Sequence, residues 1–327
     1  MDYSEIEKLT ERVKQENVFV QQIKSEIAKV VIGQQHLIDC VIVSFMSGGH
    51  ILLEGLPGLA KTLTVRAFAK VIDSDFKRIQ FTPDLLPADL IGTRMYNPSE
   101  MNFFTKKGPV FTNLLLADEI NRAPAKVQSA LLQAMEERQV TIGDDTFVLN
   151  KPFMVLATEN PIEQEGTYQL PEAQLDRFFM KVLIDYPSDS EEREMLSNFG
   201  DISLDNLSAV VSPEIAIQKS AVIESIYIDE KLIDYIVSIV SETRKPYGRE
   251  LKRYIDFGAS PRASISLMKA ARCLAFMRGR GFATPDDVKD AGADVLRHRI
   301  ILSYEAEADG VKADDIVKMI FDSVQVP

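Results

Sequence analysis

Tryptophan is absent from this chain of 327 residues, and histidine and cysteine are nearly so, with three and two copies. Cys40 and Cys273 lie in apolar helical patterns without a Cys-x-x-Cys spacing. They therefore read as buried thiols of a reducing compartment, not as a disulfide or a metal site. His36, His50 and His298 are scattered, so zinc chemistry is not expected of them. No run of about 18 or more uncharged apolar residues occurs, which excludes a helical membrane span on sequence grounds. Met1-Asp2-Tyr3-Ser4-Glu5 lacks the basic-then-apolar layout of a signal peptide, so a cytoplasmic location without membrane insertion is the expectation. Basic residues are also in deficit: 37 Lys and Arg face 49 Asp and Glu, for a net charge of −12. A phosphate backbone is repelled by that balance unless cations gather on one surface, so nucleic acid is not an expected partner.

What is present is the composition of a folded protein, 46% hydrophobic and 26% charged, in a chain long enough for two domains. Residues 6–29 are charged and helical in pattern. A helix with Leu37, Ile38, Val41, Ile42 and Phe45 on one face follows, and Gly48-Gly49 ends it. Short apolar strands then alternate with helices: strands over 50–54, 77–81, 113–117, 153–158 and 179–184, and helices from Lys61 and over 126–138. That alternation implies a parallel sheet covered on both faces. Two stretches project from it. Residues 85–107 are too rich in polar residues, Pro and Gly for one regular element, and residues 139–150 read as a hairpin around Gly143-Asp144-Asp145. Beyond Tyr186-Pro187-Ser188 strand signals fade and helices dominate, over 229–243, 262–278, 285–296 with Thr284 as N-cap, and 314–324. A boundary near Pro187 therefore divides a nucleotide domain (1–187) from a helical domain (188–327).

The segment Gly55-Leu56-Pro57-Gly58-Leu59-Ala60-Lys61-Thr62 joins a buried strand to a helix that carries Leu63. It almost satisfies GxxxxGK[ST], the phosphate-binding loop. Such a loop cradles phosphates on backbone N–H groups and a helix N-terminus, with Lys61 on the β/γ oxygens and Thr62 on Mg²⁺. Ala60 stands where the rule has Gly, which is acceptable if that position does not require positive φ. Downstream, Leu114-Leu115-Leu116-Ala117 ends in Asp118-Glu119. Two adjacent acids at the end of a buried strand need a compensating positive charge. Mg²⁺ supplies one, with Asp118 holding it and Glu119 polarising the attacking water. A third strand ends in Thr158-Glu159-Asn160-Pro161, where Asn160 is placed to position water or touch the γ-phosphate. In isolation Asn-Pro is only a turn signal.

These blocks resemble the AAA+ ATPases, and within them the MoxR group, from about Val31 to the end of the helical region. The likeness rests on Gly55 to Thr62, Leu116-Ala-Asp-Glu-Ile-Asn-Arg-Ala-Pro124, Ala157 to Pro161, Leu170-Pro-Glu-Ala-Gln-Leu-Asp-Arg-Phe178 and Gly258-Ala-Ser-Pro-Arg262. It implies an αβα sandwich on a five-stranded parallel sheet with an all-α lid, and ATP bound between these domains and against a neighbouring subunit. By the same resemblance Asn160 is the sensor asparagine, Arg177 the arginine finger and Arg262 the second sensor arginine. Val31, Ile32 and Gly33 form part of the segment on adenine, and Leu63 joins the nucleotide contacts. Residues 85–107 and 139–150 are then the helix-2 insert and the pre-sensor hairpin.

The function so implied is ATP hydrolysis in a homo-oligomeric ring, a hexamer by the same likeness, that remodels client complexes with partners bearing a von Willebrand factor A domain. Two alternatives stand beside it: a nucleic-acid translocase, suggested by inserts shared with helicases, and a nucleotide-gated scaffold with little turnover. Arg122 is a weaker candidate for an intersubunit sensor. Phe103-Phe104 in the insert suit either a client grip or an anchor for the insert. The stripe of Val127, Ala130, Leu131, Ala134 and Met135 reads as core.

Overall fold

The computed structural model describes residues 2–162, 166–197 and 203–327. Helices α1 (Tyr3–Glu16), α2 (Val18–Ile27) and α3 (Gln35–Met46) lead into β1 (Ile51–Gly55) and α4 (Lys61–Val71). Next come β2 (Phe76–Gln80), α5 (Pro87–Ile91), the hairpin β3 (Gly92–Asn97) and β4 (Asn102–Lys107), and β5 (Leu114–Asp118). Helix α6 (Ala125–Glu137), the hairpin β6 (Gln139–Ile142) and β7 (Asp145–Val148), β8 (Met154–Glu159), α7 (Glu172–Leu175) and β9 (Met180–Ile184) complete the first half.

Five strands form one parallel sheet in the order β2-β5-β8-β1-β9. Because strand side chains alternate, each central strand feeds two cores. Leu114, Leu116, Met154 and Leu156 face one cluster with α2, α3 and α4, whereas Leu115, Ala117, Val155 and Ala157 face the other with α6. Strand β2 lies at the sheet edge and carries Lys77, Arg78 and Gln80, the polar character that protects an edge. The α6 stripe is core as read, with Val127, Leu131, Ala134 and Met135 buried.

Residues 85–107, which resist assignment to one element, resolve into α5 and the β3–β4 hairpin. The hairpin exposes Met95, Tyr96, Met101, Phe103 and Phe104, and Tyr96 packs across it against Phe103 in a tilted pair with ring centroids 5.2 Å apart. The second hairpin turns at Gly143, whose φ of +65° suits glycine, and Arg94 of the first reaches Asp144 of the second at 3.2 Å.

The second half holds α8 (Asp189–Ser197), α9 (Pro213–Glu224), α10 (Glu230–Arg244), α11 (Arg249–Tyr254), α12 (Pro261–Met277), α13 (Pro285–Leu296), α14 (Tyr304–Ala308) and α15 (Ala313–Ser323). It also contains a short antiparallel ladder of β10 (Ile255–Phe257) with β11 (Ile301–Leu302) that the helical pattern does not announce. Thr284 caps α13 as expected, in a box with Asp287. Helices α1 and α2 pack against this lid. Phe19 meets Phe276 with ring centroids 6.1 Å apart, and the Asn17 amide donates to Phe276 O at 3.1 Å. One hydrophobic cluster therefore runs from α2 across a sheet face into α12 and α13. Both cysteines are buried free thiols, and burial pushes Cys273 up to about 12. No helix among the described residues is long and apolar enough to cross a membrane.

Candidate active site

Parallel strands end together, so the carboxyl ends of β1, β5 and β8 deliver their loops to one edge of the sheet. There Pro57, Gly58, Ala60, Lys61, Thr62 and Leu63 line a cavity of about 360 Å³ with Asp118, Glu119, Thr158 and Asn160. The loop wraps the start of α4, whose first N–H groups have no side-chain cap and are free for phosphate. Gly58 takes φ +87°, and a Cβ on Gly55 would lie 2.9 Å from the Ile184 backbone carbonyl. The expectation for Ala60 needs correction. Its φ is +56°, so alanine occupies a left-handed position and accepts strain of roughly 1 kcal/mol that glycine avoids.

Lys61 Nζ donates to Gly55 O at 2.5 Å. Partial burial lowers its pKa, opposed by the charges of Asp118, Glu119 and Glu54. Asp118 Oδ1 accepts from Thr158 Oγ1 at 2.6 Å, and the same hydroxyl accepts the Glu119 N–H at 2.8 Å. Asn160 is buried, and its Oδ1 accepts the Ile162 N–H at 3.2 Å, which leaves Nδ2 as the donor end. Next to the pocket, burial raises the pKa of Glu159, with Lys181 opposing.

Beside the Mg²⁺ expected to compensate the two acids, the chain supplies charge of its own. Arg78 from β2 grips Asp118 Oδ2 with Nη2 at 2.6 Å and Nε at 3.0 Å. Gln80 donates to Glu119 Oε2 at 2.6 Å, and Arg122 Nε lies 2.9 Å from the same oxygen. Sequence reasoning missed Arg78, Gln80 and Thr158. The available signal was Arg78-x-Gln80 alternating on one strand face, but its use required knowing that β2 lies beside β5. The donor set fits a hard cation carried with a triphosphate: a largely buried carboxylate, a helix-start hydroxyl and unpaired backbone amides.

Arg177 and Arg262 are not in this pocket. They meet in a separate cavity of about 250 Å³ between the nucleotide domain and the lid, also lined by Arg138, Lys269 and Arg299. Glu136 at the end of α6 holds both, with Oε2 2.9 Å from Arg177 Nη2 and Oε1 2.6 Å from Arg262 Nη2. Arg299 is buried against Asp176 at 2.9 Å, and desolvation brings its pKa down to about 10 although Asp176 opposes the fall. Val31, Ile32 and Gly33 do not line the phosphate pocket either. The first two are buried, and Gly33 lies beside Glu191 of α8.

A five-stranded parallel sheet with this loop, this pair of acids and a helical lid defines a P-loop ATPase domain of the AAA+ class. Residues 50–180 match the model of the ATPase family associated with various cellular activities (AAA), and residues 250–320 match the AAA lid domain. The chain is 47% identical over 305 residues to Chaperone MoxR1 of Mycobacterium tuberculosis, covering 92% of this chain and 81% of that protein. It is 30% identical over 329 residues to Protein MoxR of Methylorubrum extorquens, with 94% of each covered. A crystal structure of a candidate ATPase from Cytophaga hutchinsonii superposes with a TM-score of 0.89 at 48% identity, covering 99% of this chain and 98% of that one. The chain belongs to the MoxR family of AAA+ ATPases.

Proposed function

We propose that this chain hydrolyses ATP in a homo-oligomeric ring, a hexamer, and uses the cycle to remodel or assemble partner proteins. The observation that carries this reading is a division of labour. Lys61, Thr62, Asp118, Glu119 and Asn160 share one pocket, while Arg177 and Arg262 share another. A phosphate pocket on one subunit facing the arginines of the next completes a site that neither subunit assembles alone.

In that site the loop amides and Lys61 bind the β/γ-phosphate oxygens, and Asn160 Nδ2 orients the attacking water. Thr62 and Asp118 hold Mg²⁺, which neutralises charge on the transferring phosphoryl group when bound. Glu119 draws the proton from water, so Gln80 and Arg122 must release its carboxylate first. Arg177 stabilises the charge that spreads over the γ-phosphoryl oxygens, and this contact couples hydrolysis to assembly.

The remodelling part of the reading rests on family membership and on the naming of the Mycobacterium relative as a chaperone. Partners bearing a von Willebrand factor A domain belong to the same reading, and the exposed aromatic face of the β3–β4 hairpin suits contact with a client.

A mixing experiment tests the shared site. Arg177→Ala subunits keep an intact pocket, and Lys61→Ala subunits keep intact arginines. Arg177→Ala alone should lower turnover roughly 10³-fold with nucleotide affinity unchanged. Mixed with Lys61→Ala it should recover a measurable share of activity. If co-assembled mixtures never exceed the sum of the separate rates, the arginine does not act between subunits.

A further inference from the structure

Helix α3 carries His36 and Cys40 one turn apart on the same face. Lid helix α13 brings Asp294, 254 residues further along the chain from Cys40, to the same point. His36 Nε2 lies 2.9 Å from Asp294 Oδ2. Cys40 Sγ lies 3.5 Å from that oxygen and 3.6 Å from Nε2.

These separations can be set against a tetrahedral ion. Zinc bonds of about 2.0 Å to nitrogen and oxygen and about 2.3 Å to sulfur require donors about 3.3 Å apart for N and O and about 3.5 Å apart for each pair with sulfur. Both sulfur edges already have that length, and the N–O edge needs to open by about 0.4 Å.

The surroundings suit a ligand set. Arg297 pairs with Asp294 through Oδ1, the oxygen outside the triangle, and with Asp314 at 2.8 Å. An outer partner on the spare oxygen is how proteins aim a ligating carboxylate. Cys40 and Asp294 are buried, whereas His36 is exposed and borders a cavity of about 260 Å³ that also meets Asp39 and Asp290. That side offers an entry path and room for water as the fourth ligand.

We propose that His36, Cys40 and Asp294 bind a zinc-class divalent cation that clips lid helix α13 to α3 of the nucleotide domain. One thiolate, one imidazole and one carboxylate favour zinc or cobalt over Mg²⁺, which prefers an all-oxygen octahedron. As the ion binds, the Cys40 thiol releases its proton to solvent, neutral His36 donates the Nε2 lone pair, and Asp294 gives Oδ2. Because α3 and α13 belong to different domains, the clip restrains the lid without involving the nucleotide.

The test is titration of the full chain with Co²⁺ in the absence of nucleotide. The expected result is one ion per chain, a near-ultraviolet thiolate-to-cobalt band, loss of that band on adding Zn²⁺, and a higher Tm in Zn²⁺. Cys40→Ser abolishes the band, Cys273→Ser keeps it, and His36→Gln weakens binding by at least about tenfold. Should Cys40→Ser fold poorly, His36→Gln at the exposed ligand carries the test. Absence of the band, its survival in Cys40→Ser, or unchanged affinity in His36→Gln overturns the proposal, whatever the ATPase activity.

Discussion

The phosphate pocket and the arginine pocket are both polar cavities, yet they are built in opposite ways. The first is assembled from strand ends of a single sheet, and its charges balance: Lys61 and Arg78 face Asp118 and Glu119. The second is assembled from the turn before β1, the end of α6, the turn before β9 and two parts of the lid, and it holds five cations against Glu136 and Asp176. One pocket is internally neutralised. The other carries a surplus of positive charge. The contrast teaches that the paired acids with the phosphate-type loop and the cluster of arginines reside on separate surfaces of each chain.

The largest blow to this contrast is aimed at the phosphate pocket. Glu119→Gln should keep ATP binding and lower steady-state hydrolysis by at least roughly 10²-fold, because the residue loses its role as base while its shape remains. Equal rates in variant and parent would remove Glu119 from the chemistry. A smaller test probes the rim of the arginine pocket through His50. Its Nδ1 accepts the Val155 N–H at 2.9 Å, so Nε2 carries the proton and donates to Met135 O at 3.2 Å. Burial first, then the nearby Arg138 charge, lowers its pKa to about 3, so the folded state favours the neutral form. A depressed histidine stabilises above its unfolded pKa, and that contribution is lost as pH falls from about 6.5 toward 3. Between pH 7 and 5 the loss from this residue is roughly 2 kcal/mol. Denaturant unfolding of His50→Gln at both pH values should show a pH dependence smaller by that amount. An unchanged slope would mean that the ring is not held neutral. The smallest effect belongs to Ala60→Gly. Relief of roughly 1 kcal/mol of left-handed strain is partly offset by the added freedom of the unfolded chain, so stability should rise by no more than about 0.5 kcal/mol in thermal unfolding. A fall would show that the loop is better served by alanine.

How much of this was legible in the sequence differs between the pockets for a physical reason. Short apolar runs ending in Glu54-Gly55, Asp118-Glu119 and Thr158-Glu159 carry their chemistry next to their own strand signals, so strand periodicity locates them. The helix N-cap at Thr284 is equally local. Arg78 and Thr158 act on Asp118 only because the sheet order is β2-β5-β8, and chain order does not reveal that order. The same limit hides Glu136 as the common partner of Arg177 and Arg262. Their roles could be matched to a family, but their meeting place depends on how the lid docks. The left-handed turn at Ala60 escaped because a loop pattern specifies residue size more directly than φ. The β3–β4 hairpin escaped because Asn97 to Asn102 lacks the short Asn-Gly type of turn that announces one.

The contact of α1 and α2 with the lid has a mechanical corollary. Phe19 and Asn17 grip the C-terminal end of α12, and the Thr10 hydroxyl accepts the Gly281 N–H at 3.1 Å, while α2 also packs against α4, so the first two helices bridge the lid and the nucleotide domain. Their sequence position suggests a leader to the nucleotide domain. In leverage they are a strap across the two halves, fixed to α4 at one end and to the end of α12 at the other.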